Sequence, residues 1–423
     1  MIGRKIYTAL LYGLLPFLPL RLAWRARKQP EYLRHIGERF GCYSAKPTKP
    51  IIWLHAVSVG ETRAAAPLIK LLQQRNPACQ ILLTHMTPTG RATSAELWGD
   101  DLLRCYLPYD YPFAIRKFLR HFQPRVGVLL ETEWWPNLIS ICHEQNVPLA
   151  LINARLSERS ARGYARFAAL TSDTLSHLAV VAAQTSIDGD RLQSLFSGKV
   201  NIMGNLKFDC DVPSTRIELG KKLRAQFGEH RRVWLAASTR EGEEKVLLET
   251  VQNIQTTEAL AVIVPRHPQR FNDVAELLKS NGIAFQRRSE NAAVKPQTRV
   301  LLGDSMGEMF AYYAASDVAF IGGSLLPLGG QNLIEACAVG TPVLIGPHTF
   351  NFAEATIQAI ACGAAQRISS AAELAIEIDR LFADPLRRKA MGEAGLAFTA
   401  SHRGASARAY ELLASLLSAL RVP

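Results

Sequence analysis

At 423 residues the chain is long for one typical domain and comfortable for two, each able to bury its own core. Hydrophobic residues make up 48% and charged residues 20%, with no low-complexity tract, which excludes a disordered chain and predicts folding throughout. Lysine and arginine outnumber aspartate and glutamate by 49 to 37, a net +12 that favours phosphates or an anionic membrane as partners, whereas no RNP-type aromatic pattern, finger spacing or heptad basic region supports nucleic acid.

The first element, Ile6 to Leu20, carries no charge and reads as a helix. Such a helix reaches only ~22 Å, short of a bilayer core of roughly 30 Å. Pro16 and Pro19 are expected to break its later turns, and Arg4, Lys5, Arg21, Arg25, Arg27 and Lys28 flank it. No small-x-small cleavage site follows, so an uncleaved anchor or an interfacial helix explains the segment better than a signal peptide. Positive-inside bias places the basic flanks in the cytosol.

After Pro50 short apolar runs alternate with amphipathic stretches: IIWLHAVSV, ETRAAAPLIKLLQQR, QILLTHM, TGRATSAELWG, then VGVLLE, PLALINA, LAVVAAQ and VNIMGN. This is the β-α-β-α order of a parallel sheet buried on both faces. A polar connection, DCDVPSTRIELGKKL, follows. A second series then begins with RVWLAAS, LAVIVPRHP, RVLLGDS, VAFIGGS and TPVLIGP. The expected organisation is an anchor over residues 1–30, an α/β domain over 31–210, and a second over 211–423. A last amphipathic helix from about Ala405 to Leu420, with Leu412, Leu413, Leu416 and Leu417 on one side, is expected to return to the first domain. Open α/β sheets bind ligands beyond the carboxyl ends of their strands, so two doubly wound domains facing across a cleft are expected, with the residues after each run as site candidates. The seven cysteines are scattered and never spaced C-x-x-C, which fits small buried hydrophobes in a reducing cytosol.

Glu61 stands at a strand-to-helix corner, where its carboxylate serves either chemistry or the helix dipole. Glu131 and Glu133 follow an apolar run, and at least one is expected to point into the cleft beside a wall of Trp134, Trp135 and Pro136. Arg266 ends LAVIVP, where a guanidinium can grip phosphate with paired hydrogen bonds or form a surface salt bridge. Lys207 in GNLKF offers a point charge. GGQNLIEA lets backbone N–H groups approach a phosphate before a helix, with Glu335 one turn into that helix. Neither G-x-G-x-x-G nor a P-loop occurs. Asp209-Cys210-Asp211 spells a metal-type D-x-D but lies in the connection between domains, and the ten histidines are dispersed, so no metal is expected.

Taken together, HAVSVGETRAA (His55 to Ala65), MTPTG (Met86 to Gly90), ETEWWPNLI (Glu131 to Ile139), NARLSERS (Asn153 to Ser160), GNLKFD (Gly204 to Asp209), VPRHPQRF (Val264 to Phe271), GDSMGEM (Gly303 to Met309) and GGSLLPLGGQNLIEA (Gly322 to Ala336) resemble the bacterial 3-deoxy-D-manno-octulosonic acid (Kdo) transferases of the GT-B fold. The likeness runs from YLRHIGERFG near residue 32 to GPHTFNF near residue 346. It implies inverting, metal-independent transfer of Kdo from CMP-Kdo to a phosphorylated lipid A precursor (lipid IVA). Glu61 would be the general base, Glu131 would support the transition state or that base, and Lys207 would balance charge as CMP departs. The donor positions it implies are Pro265, Arg266, Met306, Gly307, Glu308, Asn332, Leu333, Ile334 and Glu335. It further implies attachment to inner-membrane lipids at the cytoplasmic face, with no cofactor and no nucleic acid. The alternatives are another nucleotide-sugar enzyme of the same fold, or a membrane-attached binding protein without turnover.

Overall fold

The computed structural model describes residues 2–27 and 29–418, so Lys28 and the end of the last helical pattern at residues 419–420 lie outside the described residues. The chain divides into two compact units, one built from the residues up to Cys210 together with those from Arg403 onward, the other from Asp211–His402.

The first unit holds strands β1 (Ile51–His55), β2 (Gln80–His85), β3 (Leu103–Tyr106), β4 (Pro124–Leu130), β5 (Leu149–Ala154), β6 (Val180–Ala183) and β7 (Val200–Ile202). They pair in parallel in the order β3-β2-β1-β4-β5-β6-β7, which reverses direction between β1 and β4. All of β1 is buried, with Ile51 and Trp53 in the core on one face and Ile52 and Leu54 on the other. Alternation in a strand sends neighbours to opposite faces, so a parallel sheet covered by helices on both sides needs apolar residues throughout. Truncating a fully buried residue such as Leu54 to Ala is expected to cost about 2–5 kcal/mol. At Gly127 in β4 a Cβ would lie 2.6 Å from the Trp53 ring and clash with Leu149, so the indole needs a glycine beside it.

The run IIWLHAVSV is not one strand, because β1 stops at His55 and a helix starts at Val59. That helix, Val59–Arg75, is covered by the last helix, Ala405–Ser418, whose Leu413 and Leu417 are buried while Leu412 and Leu416 are half-buried. Asp209 fixes the start of the last helix, accepting the Gly404 N–H at 2.6 Å and the Ser406 N–H. The first aspartate of the D-x-D is therefore engaged as a cap.

The second unit holds β8 (Val233–Thr239), β9 (Leu260–Pro265), β10 (Phe285–Arg287), β11 (Val300–Leu302), β12 (Val318–Ile321), β13 (Val343–Ile345) and β14 (Ala365–Arg367). Its order is β10-β11-β9-β8-β12-β13-β14, again all parallel. Most of the polar connection expected after Asp209 is the helix Ser214–Phe227 of this unit, which buries Gly220, Leu223 and Phe227. Of the cysteines, Cys105, Cys142 and Cys337 are buried as expected, whereas Cys42 and Cys362 are exposed and Cys79 and Cys210 lie between.

Among the described residues one helical stretch, Gly3–Ala26, is long and apolar enough to cross a membrane, at 24 residues and a mean hydropathy of 1.4. Pro16 and Pro19 do not break it: a 3-10 turn, Leu15–Phe17, joins two α-helices, and each proline falls in the first turn of its element, where no N–H is needed. One face rests on the first unit through Arg4 to Glu144 at 2.7 Å, Thr8 to Asn137 at 2.8 Å, and the Tyr111 hydroxyl to the Leu11 carbonyl at 2.8 Å. Ile6, Leu10, Leu14, Phe17, Leu20 and Trp24 are exposed. In the following basic segment Arg39 is only 1% exposed, stacked over Tyr106 at 4.0 Å, so it is not a surface cation.

Candidate active site

Glu61 and Glu131 follow β1 and β4, the strands that flank the reversal of the first sheet, where α/β folds hold ligands. Ser58 caps the helix Val59–Arg75 and Glu61 is its third residue, a Ser-x-x-Glu pairing. One carboxylate oxygen of Glu61 accepts the Val57 N–H at 2.6 Å and the other the Ser58 hydroxyl at 3.1 Å. Burial raises this carboxyl to about 8, the Glu131 charge adds to the rise, and the Val57 N–H opposes it. A carboxyl so raised is suited to exchanging protons near neutral pH.

Glu131 is the first residue after β4 and has φ 58°, a left-handed backbone that a glutamate adopts only under constraint. Its carboxylate meets the Lys207 ammonium at 2.9 Å. Burial pushes Glu131 up, but Lys207, aided by Arg155, outweighs it and holds the carboxyl below its ordinary range. Lys207 is set by a chain of hydrogen bonds: Asn205 accepts its N–H at 3.0 Å, and Asn153 accepts the Leu206 N–H at 3.0 Å. Glu133 accepts the Trp135 indole N–H at 2.8 Å, and burial raises its carboxyl. Trp134 is buried and stacked on Tyr164 with ring centroids 4.5 Å apart, so of the expected wall Trp134 belongs to the core and Trp135 to the carboxylates. The structure thus joins Glu61, Glu131 and Lys207 into one electrostatic cluster.

In the second unit Arg266 follows β9, and its N–H donates to the Thr239 carbonyl at the end of β8. Pro265 is the buried last residue of β9. Burial first, then the charges of Arg240, Arg266 and Arg270, lower the affinity of His267 for a proton, and Arg270 is itself paired with the buried Glu244 at 2.7 Å. The turn after β11 carries Met306, 56% exposed, and Gly307, with φ 74°. Glu308 in the same turn is held by Arg288 at 3.2 Å and the Ser305 hydroxyl at 2.6 Å. Asn332 donates to Glu335 at 3.1 Å and accepts the Ile334 N–H at 3.1 Å. The helix here, Ile334–Val339, is short, and Glu335 is its second residue rather than one turn in. Leu333 and Ile334 bury their side chains, so they have only backbone to offer a ligand.

Sequence reasoning passed over Glu243, which is fully buried and accepts the Gly323 N–H at 2.6 Å and the Ser324 N–H at 3.2 Å, fixing the glycine loop after β12. It also passed over His55. Among the described residues no group of three or more His, Cys, Asp or Glu side chains is arranged to hold a metal ion.

The family model described as 3-deoxy-D-manno-octulosonic-acid transferase (kdotransferase) matches residues 34–210, and the model for glycosyl transferases group 1 matches residues 255–398. A 3-deoxy-D-manno-octulosonic acid transferase of Bordetella pertussis is 43% identical over 97% of this chain and 99% of its own. That of Haemophilus influenzae is 38% identical over 97% of this chain and 98% of its own. Among solved structures, a glycosyltransferase from Rickettsia africae superposes with a TM-score of 0.61 at 15% identity, covering 89% of this chain and 100% of that one. This likeness shows the fold, GT-B, and no more. Aligned with such relatives over nearly its whole length, the chain belongs to the 3-deoxy-D-manno-octulosonic acid transferase family of glycosyltransferases.

Proposed function

We propose that the chain transfers Kdo from CMP-Kdo to a hydroxyl of a phosphorylated lipid A precursor, with inversion and without a metal. The observation that carries this reading is the cluster after β1 and β4 in a chain of this family: Glu131 is paired with Lys207 at 2.9 Å, which holds its carboxyl low, while Glu61, bonded to the Val57 N–H at 2.6 Å, is raised by burial. Environments that drive two acids apart assign them different tasks. Glu61 takes the proton of the acceptor hydroxyl as its oxygen attacks the anomeric carbon. The bond from that carbon to the CMP phosphate oxygen breaks, and its electron pair leaves with CMP. Glu131 orients Lys207, whose charge offsets the negative charge on the departing phosphate. Arg266, Asn332, Glu335 and the Met306-Gly307-Glu308 turn hold the donor.

The exposed apolar stripe from Ile6 to Trp24, with its basic neighbours, rests on inner-membrane lipid at the cytoplasmic face. The docked opposite face favours a helix lying in the interface over one that spans.

The test is purified protein with CMP-Kdo and tetra-acylated lipid A precursor, in EDTA, read by CMP release and by the mass of the lipid. Acceptor-dependent CMP release with a Kdo mass increment is expected. Release without a heavier lipid, activity only with a UDP-sugar, or loss of activity in EDTA would contradict the corresponding part of the reading.

A further inference from the structure

After β5 the chain enters a short helix, Glu158–Ala165, that buries no residue, so no core dictates its outer face. Only Ala161 and Tyr164 turn partly inward, and Arg166 and Phe167, which follow, are exposed. Arg166 keeps helical backbone as the C-cap. At 3.6 residues per turn Arg159, Arg162 and Arg166 therefore fall within about 60° of one another, on the side away from Tyr164. The single carboxylate of this helix, Glu158, meets Arg162 at 3.7 Å with the side chains 70% and 75% exposed, a pair that contributes little. Among the described residues Arg159 and Arg166 form no ion pair. A face that served solubility alone would mix both signs, and like charges four residues apart destabilise a helix. Three clustered guanidinium groups are better explained by an anion that lies across them.

The place of this helix says which anion. On one side its Tyr164 ring stacks on Trp134 at 4.5 Å, next to Glu133, and Arg155 before it adds to the charge that holds Glu131 low. On the other side the amino-terminal helix begins: a Cβ at Gly3 would lie 3.4 Å from Leu170, and Tyr7 is within electrostatic reach of Tyr164. The segment from Glu158 to Leu170 thus touches both the carboxylate cluster and the helix that carries the exposed apolar stripe. A lipid acceptor with its chains at the stripe and its hydroxyl at Glu61 has to lay its polar head across this segment. The planar fork of arginine matches phosphate oxygens with paired hydrogen bonds.

We propose that Arg159, Arg162 and Arg166 form the face that binds the phosphate groups of the lipid acceptor, and so make the first unit selective for a phosphorylated lipid. The proposal rests on the lipid acceptor inferred above, and its test separates the two.

Full-length protein in detergent micelles is given CMP-Kdo and either the tetra-acylated lipid A precursor or the same lipid after phosphatase treatment. The wild type should show a KM about tenfold lower for the phosphorylated lipid. In R159A/R162A/R166A that KM should rise to the value for the dephosphorylated lipid, while the rate at saturating acceptor, the CMP dissociation constant and the melting temperature hold. Lysine at the same three positions should restore part of the preference, since the charge returns without the fork. A preference for the phosphorylated lipid that survives in the alanine variant overturns the proposal and leaves the transfer reaction standing. Equilibrium binding of the two lipids is the arm that needs no transfer. Tighter binding of the phosphorylated lipid by the wild type, lost in the alanine variant, supports the proposal even if no Kdo moves, whereas equal binding of the two lipids, or none, contradicts it. An alanine variant that loses only sedimentation with phosphatidylglycerol vesicles, at an unchanged acceptor KM, would assign the arginines to the bulk membrane surface and contradict it too.

Discussion

The two parallel sheets differ in the charged groups that follow their central strands. Beyond β1 and β4 stand Glu61, Glu131 and Glu133, with the Lys207 ammonium paired to Glu131. Beyond β8 and β9, Arg240, Arg266 and Arg270 surround His267. Buried carboxyls change protonation near neutral pH, whereas a guanidinium never loses its charge in a protein. One α/β plan therefore offers groups that can exchange protons in the first unit and permanently charged groups in the second, the difference residing in a few residues after the strands. The two backbones share one feature: Glu131, with φ 58°, and Ser238 near the end of β8, with φ 57°, each take a left-handed conformation that a non-glycine residue adopts only under constraint.

The comparison breaks most readily at Glu61. Glu61→Gln keeps one acceptor oxygen for the Val57 N–H and turns its amide NH2 toward the Ser58 hydroxyl, but it cannot take a proton, so the single-turnover rate should fall roughly 100- to 10,000-fold. Its stability should change by no more than ~0.3–1 kcal/mol, the worth of a first-turn charge. With ionised Glu61 as the proposed base, the wild-type rate should climb with pH from the ordinary carboxyl range to about 8 and then level. Stability runs the other way: with a folded value above the unfolded one, the contribution of Glu61 is full below the ordinary carboxyl range and is lost as pH rises through about 8. A flat wild-type pH profile would remove Glu61 from the proton-handling side.

Next in size is Lys207→Met, which strands the Glu131 carboxylate and should cost about 3 kcal/mol in urea unfolding at neutral pH. Because Lys207 holds the pKa of Glu131 below its ordinary range, its stabilisation is present above the unfolded carboxyl value and lost as pH falls through the folded one. In the variant that loss should begin at a higher pH. Unchanged stability would show that the 2.9 Å pair is not what organises the cluster.

Arg266→Lys keeps the charge but loses the planar fork, so CMP should bind about tenfold more weakly, ~1.4 kcal/mol. An unchanged dissociation constant for CMP would take the anion-holding role from this residue. The smallest effect on either site is expected from deleting residues 1–27: wash-resistant sedimentation with membranes should fall and CMP affinity should hold. Undiminished sedimentation of the truncated form would contradict the interfacial reading of the helix.

How far these differences were legible beforehand depended on burial. Central strands such as β1 and β9 are apolar on both faces and announced themselves. The three that did not, Leu103–Tyr106, Phe285–Arg287 and Ala365–Arg367, all lie at sheet edges, where one side is uncovered and the apolar run shortens to a few mixed residues. Glu61, Glu131 and Lys207 were readable as strand-end residues, but their mutual pairing was not, since Lys207 and Glu131 stand 76 positions apart. Ser58-x-x-Glu61 was a local signal within reach, since that spacing marks a helix start with reciprocal side-chain bonds. Glu243 and His55 gave no such signal. A buried carboxylate accepting N–H groups from a loop 80 positions away, and an imidazole whose tautomer depends on Thr84, are properties of packing. The prolines of the first helix misled for a simpler reason, because their position in the first turns was not visible from their spacing.

Most direct for the division of labour is a paired measurement of CMP affinity and saturating single-turnover rate on Glu61→Gln, Arg266→Lys and the double variant. The account predicts that the double variant has the CMP dissociation constant of Arg266→Lys and the turnover rate of Glu61→Gln, with little coupling between the two changes. If Glu61→Gln by itself weakened CMP as much as Arg266→Lys does, or turned over at the wild-type rate, the assignment of the proton to one sheet and the anion to the other would be contradicted.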